Sequence, residues 1–105
     1  MLFGAHVSAA GGHWKAPGYG AALGCEVIQF FSRPPQGWNA KPITDEDAEK
    51  FKLAMKEQGI KRAYVHAPYL INLASATPRT RHGSISMLKE ELGRCSQLGV
   101  AAMMF

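Results

Sequence analysis

No aspartate or glutamate occurs between Glu57 and Glu90, and only two cysteines, Cys25 and Cys95, occur in 105 residues. Two thiols so far apart exclude a disulfide framework and a cysteine-type zinc site, and both read as buried inert thiols. No apolar stretch, Leu98 to Phe105 included, approaches the roughly 20 residues that a bilayer requires. The start, Met1-Leu2-Phe3-Gly4-Ala5-His6, has neither the basic flank nor the apolar length of a secretory signal. A cytoplasmic protein is therefore expected. A glycine loop leading to Lys-Ser/Thr is missing, as is a Gly-x-Ser-x-Gly turn, so neither a phosphate-cradling loop nor a serine nucleophile of that kind is present.

The chain does carry the composition of a globular protein, with 47% hydrophobic and 10% aromatic residues. Its net charge of +4 is concentrated. Residues 59–82 hold Lys61, Arg62, Arg79 and Arg81 with no acid, a local excess that favours an anionic partner or simply heads a solvated helix.

Three helix exits look alike: Leu23-Gly24-Cys25, Gln58-Gly59-Ile60 and Leu98-Gly99-Val100. Glycine just past a helix takes the left-handed conformation, and the apolar residue after it covers the last turn. Ahead of the second exit, Thr44 caps a helix whose first turn is acidic, with Ala48, Phe51 and Met55 on one face. Ahead of the third, a helix from about Arg79 to Leu98 presents Ile85, Leu88, Leu92 and Cys95 as its apolar stripe. The first helix, within Gly12–Leu23, is broken by Pro17, Gly18 and Gly20 and is expected short or kinked. Short apolar runs, Leu2–Val7, Glu26–Phe31, Arg62–His66 and Val100–Phe105, read as buried strands. The order β-α-β-α-β-α-β implies a parallel sheet. Three helices do not cover four strands on both faces, and the last apolar run has no polar finish. The expectation is an N-terminal part of a larger α/β protein, a partial (β/α)₈ barrel of three βα units plus the fourth strand.

In such folds chemistry gathers at the carboxyl ends of the strands, here His6, Gln29 and His66. An imidazole at either position is a metal ligand or proton shuttle, or else a histidine bonded to a neighbouring loop. The loop His66-Ala67-Pro68-Tyr69-Leu70-Ile71-Asn72-Leu73 offers a ring and aliphatics that either wedge into a nucleic-acid stack or pack back onto the sheet. Ser32-Arg33-Pro34-Pro35-Gln36-Gly37-Trp38 is a similar loop after the second strand. His13 and His82 read as solvated.

Taken together, Gly4-Ala5-His6-Val7-Ser8-Ala9-Ala10-Gly11-Gly12, Gln29-Phe30-Phe31-Ser32 leading to Trp38, Lys41-Pro42, and the His66–Leu73 loop resemble the endonuclease IV family of apurinic/apyrimidinic endonucleases, in register along the whole chain. The resemblance implies that residues 1–105 are the N-terminal part of a single xylose-isomerase-like TIM-barrel domain. It implies a zinc-dependent DNA repair enzyme, with up to three zinc ions, that cuts the phosphodiester 5′ to an abasic site in double-stranded DNA. Of the family's metal ligands, His66 maps onto this chain, while His6 matches a histidine close to the metals that orients a ligand or the phosphate. Tyr69 and Leu70 match the family's insertion into the DNA stack. Where many relatives carry Arg-Gln before the tryptophan, this chain has Gln36-Gly37, so that Gln36 fills the gap less well and Arg33 is the nearby cation left to substitute in part. That departure and the broken first helix bear on DNA affinity rather than on the metal ligand. The complete protein is expected to be monomeric, and the segment alone inactive and prone to self-association through its last strand. Two other readings are carried: a metal-dependent sugar isomerase or epimerase on the same barrel, and a non-catalytic nucleic-acid-binding segment. Nicking of an abasic duplex, abolished by a chelator, separates them from the nuclease.

Overall fold

A computed structural model describes residues 1–105. Four strands, β1 (Gly4–His6), β2 (Val27–Phe30), β3 (Arg62–His66) and β4 (Ala102–Met104), form one sheet in the order β1-β2-β3-β4. All three pairings are parallel, with His6 beside Gln29, Phe30 beside Val65 and His66 beside Met104. Between the strands lie α1 (Ala16–Ala22), α2 (Asp45–Glu57) and α3 (Pro78–Leu98). Each strand is added beside the preceding one, the sequential order of a barrel wall rather than the reversing order of a doubly wound sheet. The fold is an α/β partial barrel. None of its helices is long and apolar enough to cross a membrane.

The core lies on one side of this sheet. Ile28, Phe30, Ala63 and Val65 alternate along β2 and β3 and are buried with Ala16 of α1, Ala48 and Phe51 of α2, and Cys95 and Leu98 of α3. The intervening residues Val27, Gln29, Tyr64 and His66 are half-buried on the opposite face, which no helix covers and which in a closed barrel faces the interior. Expected strands shorten at the edges: β1 keeps three residues of Leu2–Val7 and β4 three of Val100–Phe105, because each has a hydrogen-bonded neighbour on one side only. All three residues of β1 are exposed, unlike the buried strand expected there.

The helices follow their local signals. Thr44 Oγ1 accepts the Asp47 N–H at 3.1 Å as the cap of α2. Gly24, Gly59 and Gly99 all take positive φ past the three helix ends. The first helical segment divides into a single 3₁₀ turn, His13–Lys15, and the short α1, with Pro17 in its first turn, where no N–H is needed. Gly20 is required by close approach, since a Cβ there would lie 2.3 Å from Ile28 Cγ2. The stripe expected on α3 holds at Cys95, which is buried, and at half-buried Leu88, and is corrected at its other two positions. Ile85 and Leu92 are exposed, and the buried face is Ser84, Met87, Glu91, Arg94, Cys95 and Leu98. The helix is rotated because its inward face makes polar bonds to loops, which hydrophobic spacing does not encode.

Candidate active site

His6 and His66 end β1 and β3, and the alternation of both strands turns them to the uncovered face. Their ring centroids are 6.3 Å apart. Gln29, in the β2 register beside His6, donates its side-chain amide to His6 Nδ1 at 3.0 Å. With Nδ1 accepting, the neutral ring carries its proton on Nε2 and is a donor to whatever lies above it. Burial, with the nearby charge of His66, holds the His6 pKa below the ordinary histidine value, so the neutral form prevails at neutral pH. His66 has the opposite tautomer. Its Nδ1 meets the Ala67 carbonyl at 2.7 Å, and because a carbonyl only accepts, Nδ1 holds the proton and Nε2 keeps its lone pair. An imidazole fixed this way by the carbonyl of the next residue has the orientation of its Nε2 lone pair already set.

Phe31 stands among these groups, its centroid 4.7 Å from His6, 5.2 Å from His66 and 5.3 Å from Tyr69. Sequence reasoning missed it as a site residue. The signal was the pair Phe30-Phe31: one ring must enter the core, where Phe30 packs on Phe51 at 5.4 Å, and the next must face the other way.

Tyr69 is 65% exposed on the loop after β3, with Leu70 half-buried beside it. Gln36 is exposed on the turn of the loop after β2, and Gly37 closes that turn by donating to the Pro34 carbonyl at 3.3 Å. A groove of about 940 Å³ runs between the loops after β1 and β2, with His6, Ser8, Trp14, Phe31, Asn39 and Lys41 among its walls.

Arg33 borders this groove but offers it almost no exposed side chain. Its side chain is buried, its Nε bonds Glu91, and its Nη2 meets Glu90 at 2.8 Å. Burial pulls the guanidinium toward its neutral form, but the hydrogen bonds and charges of Glu91 and Glu90 outweigh it and raise the pKa. The expectation that Arg33 substitutes for a DNA-contacting arginine is thereby overturned, because the side chain is buried and three of its five donors are held by carboxylates and the Trp38 carbonyl. His13 is likewise not solvated: Nε2 lies 2.7 Å from the Ser32 carbonyl and its ring packs near Phe30. His82 is exposed, as expected.

The family model of xylose isomerase-like TIM barrels matches residues 18–105. A probable endonuclease 4 from Halorhodospira halophila is 45% identical over 102 residues, covering 97% of this chain and 34% of that protein. A probable endonuclease 4 from Methanosphaerula palustris is 46% identical over 100 residues, covering 95% and 35% respectively. The crystal structure of endonuclease IV from Thermus thermophilus superposes with a TM-score of 0.91 at 28% identity, covering 98% of this chain and 39% of that one. The chain belongs to the endonuclease IV family.

It spans about a third of the length of the curated endonuclease 4 relatives it matches. Nowhere in this endonuclease IV segment do three His, Cys, Asp or Glu side chains gather as a metal site. His66, with its free Nε2, fits one metal ligand, and the segment by itself does not supply a full set.

Proposed function

We propose that this chain forms part of a zinc-dependent DNA repair endonuclease that cleaves the phosphodiester 5′ to abasic sites in double-stranded DNA, acting in base excision repair in the cytoplasm. The observation that carries the reading is His66: an imidazole at the carboxyl end of a barrel strand, its Nδ1 tied to the Ala67 carbonyl and its Nε2 free to ligate. His66 would hold zinc through that nitrogen. When bound, zinc supplies Lewis-acid stabilisation of the oxygens around a phosphorus under attack.

The chain's own residues do the rest of the work assigned to this segment. The Nε2–H of His6 donates to a phosphate oxygen, and Gln29 keeps the ring from turning. Tyr69, a 65% exposed ring that edges against His66, enters the stack beside the damaged nucleotide, with Leu70 next to it and Gln36 and Gly37 on the loop after β2. A lesion defined by a missing base offers no edge to read, so recognition by shape and by deformability suits a wedge better than hydrogen bonds to bases. The carboxylate-free stretch on either side of this loop favours the phosphate backbone.

The test is nicking of a duplex carrying one abasic site. A full-length endonuclease 4 in which residues 1–105 of this chain replace the matching third is expected to nick it and to lose that activity to a chelator. Turnover of a ketose without nicking would favour a sugar isomerase or epimerase. The 105-residue chain alone is expected not to nick, because one metal donor does not assemble a metal cluster. Duplex binding without nicking by that full-length protein would make the segment a non-catalytic nucleic-acid-binding module.

A further inference from the structure

The inward face of α3 carries Ser84, Glu91 and Arg94 among its buried residues, and their polar bonds to other elements end on the two loops beside His66. Ser84 Oγ accepts the Asn72 N–H at 2.9 Å, holding the loop that bears Tyr69. Glu91 accepts the Ser32 hydroxyl at 2.6 Å and the Arg33 Nε–H, holding the loop that bears Gln36. Arg94 donates to Ser32 Oγ at 3.1 Å, to the Ser32 carbonyl and to the Lys41 carbonyl at 2.7 Å. Three residues beyond, nearly one turn along, Gln97 donates to the Ile43 carbonyl at 2.5 Å. Every buried side-chain nitrogen and oxygen has a partner.

A buried set of two guanidiniums and a carboxylate is a poor way to gain stability, because well-packed apolar side chains of similar volume serve as well or better. What it supplies is direction. The loop of residues 31–43 contains no helix or strand, so side chains from α3 replace the ladder bonds it lacks. We propose that Glu91, with Arg33 and Arg94, is a positioning set that fixes the loop after β2 relative to Tyr69 before DNA arrives. The inference rests on the reading of the chain as an abasic-site nuclease. Loops already ordered do not have to be ordered on association, so the set acts on DNA binding. It does not touch His66, whose hydrogen bond is made within β3 and its own following residue.

The experiment uses the full-length endonuclease 4 carrying residues 1–105 of this chain, assayed on a duplex with one abasic site. Glu91→Gln keeps the volume and an acceptor but removes the charge that pairs both arginines. KM is expected to rise about tenfold, with kcat within about twofold, since misplacement of a contact rather than loss of a reacting group is at issue. Ser84→Ala, which loosens the Tyr69 loop without touching the ion pairs, is expected to show the same split to a smaller degree. Should Glu91→Gln fail to fold, Ser32→Ala decides the question: it removes the hydroxyl through which Glu91 and Arg94 hold the loop after β2, leaves the ion pairs in place, and is expected to show the same split. A lower melting temperature with KM unchanged, or a fall in kcat alone, would overturn the positioning role while leaving the nuclease reading intact. Absence of nicking by the unsubstituted protein would instead remove the nuclease reading itself, and the inference with it.

Discussion

The Tyr69 backbone N–H donates to the Pro35 carbonyl at 3.0 Å, so the loop after β3 hangs from the loop after β2. The ring of Tyr69 takes no part in that bond and edges against Phe31 and His66 at 5.3 and 5.9 Å. Backbone and side chain therefore have separable duties.

Tyr69→Ala tests the side chain alone, because alanine keeps the N–H. Loss of one stacking ring costs about 1–3 kcal/mol of binding, or roughly five- to 150-fold in affinity for an abasic duplex. Metal content should not change. Fluorescence anisotropy with labelled duplex reads the affinity, and unchanged binding would mean that the ring only packs on Phe31.

His66→Ala separates metal from fold. The ring is half-buried at a strand end and outside the buried core, so helical content by circular dichroism should be nearly unaffected. Bound zinc in the full-length protein should fall, with affinity reduced by more than about 100-fold, beyond the loss usual for a residue that only supports a ligand. Nicking should fall with it. Full zinc occupancy after the substitution would remove His66 from the ligand set.

Signals carried by backbone chemistry were legible in the sequence. Each left-handed glycine past a helix, the Thr44 cap and the Ala48–Phe51 face stand where spacing and capping rules put them. The end of β3 at His66 stands where its apolar run put it, and that of β1 falls one residue short of the expected Leu2–Val7. What escaped were pairings between residues far apart in the chain. Arg33 reads as a surface cation until Glu91, 58 positions away, is seen to meet it, and Glu91 reads as a solvated charge until both of its arginines are placed. The stripe on α3 failed at Ile85 and Leu92 for that reason, while Cys95 held: apolar periodicity marks the buried face only where burial is apolar. His13 escaped similarly, since its partner is a backbone carbonyl that no sequence pattern announces.

The rotated face of α3 yields an ordering of substitutions opposite to the one that hydrophobicity would give. Glu91→Ala leaves Arg33 and Arg94 buried beside an empty acceptor and should destabilise the chain by about 3–5 kcal/mol. Leu92→Ala, at a 52% exposed position one residue on, should cost no more than about 0.5 kcal/mol. Urea unfolding of the two variants side by side decides between the faces. A larger loss from Leu92→Ala would place the apolar stripe inward after all.

Cys95 gives the pH test. Its thiol lies on the buried face of α3, and burial first, then the charge of Glu91, pushes its pKa from the ordinary 9.0 up to about 11. At about pH 8 the thiolate fraction is then on the order of one in a thousand, so the folded chain should resist alkylation at Cys95, whereas denatured chain reacts readily. The sign for stability follows from the same values. The folded state holds the proton more tightly than the unfolded one, so this contribution is complete below about pH 9 and is lost as pH rises through about 11. Cys95→Ala should therefore flatten part of the alkaline decline across that window while lowering stability at neutral pH through the lost packing. Rapid alkylation of Cys95 in folded protein at about pH 8 would show that the inward face of α3 opens far more readily than its closed hydrogen-bond set implies.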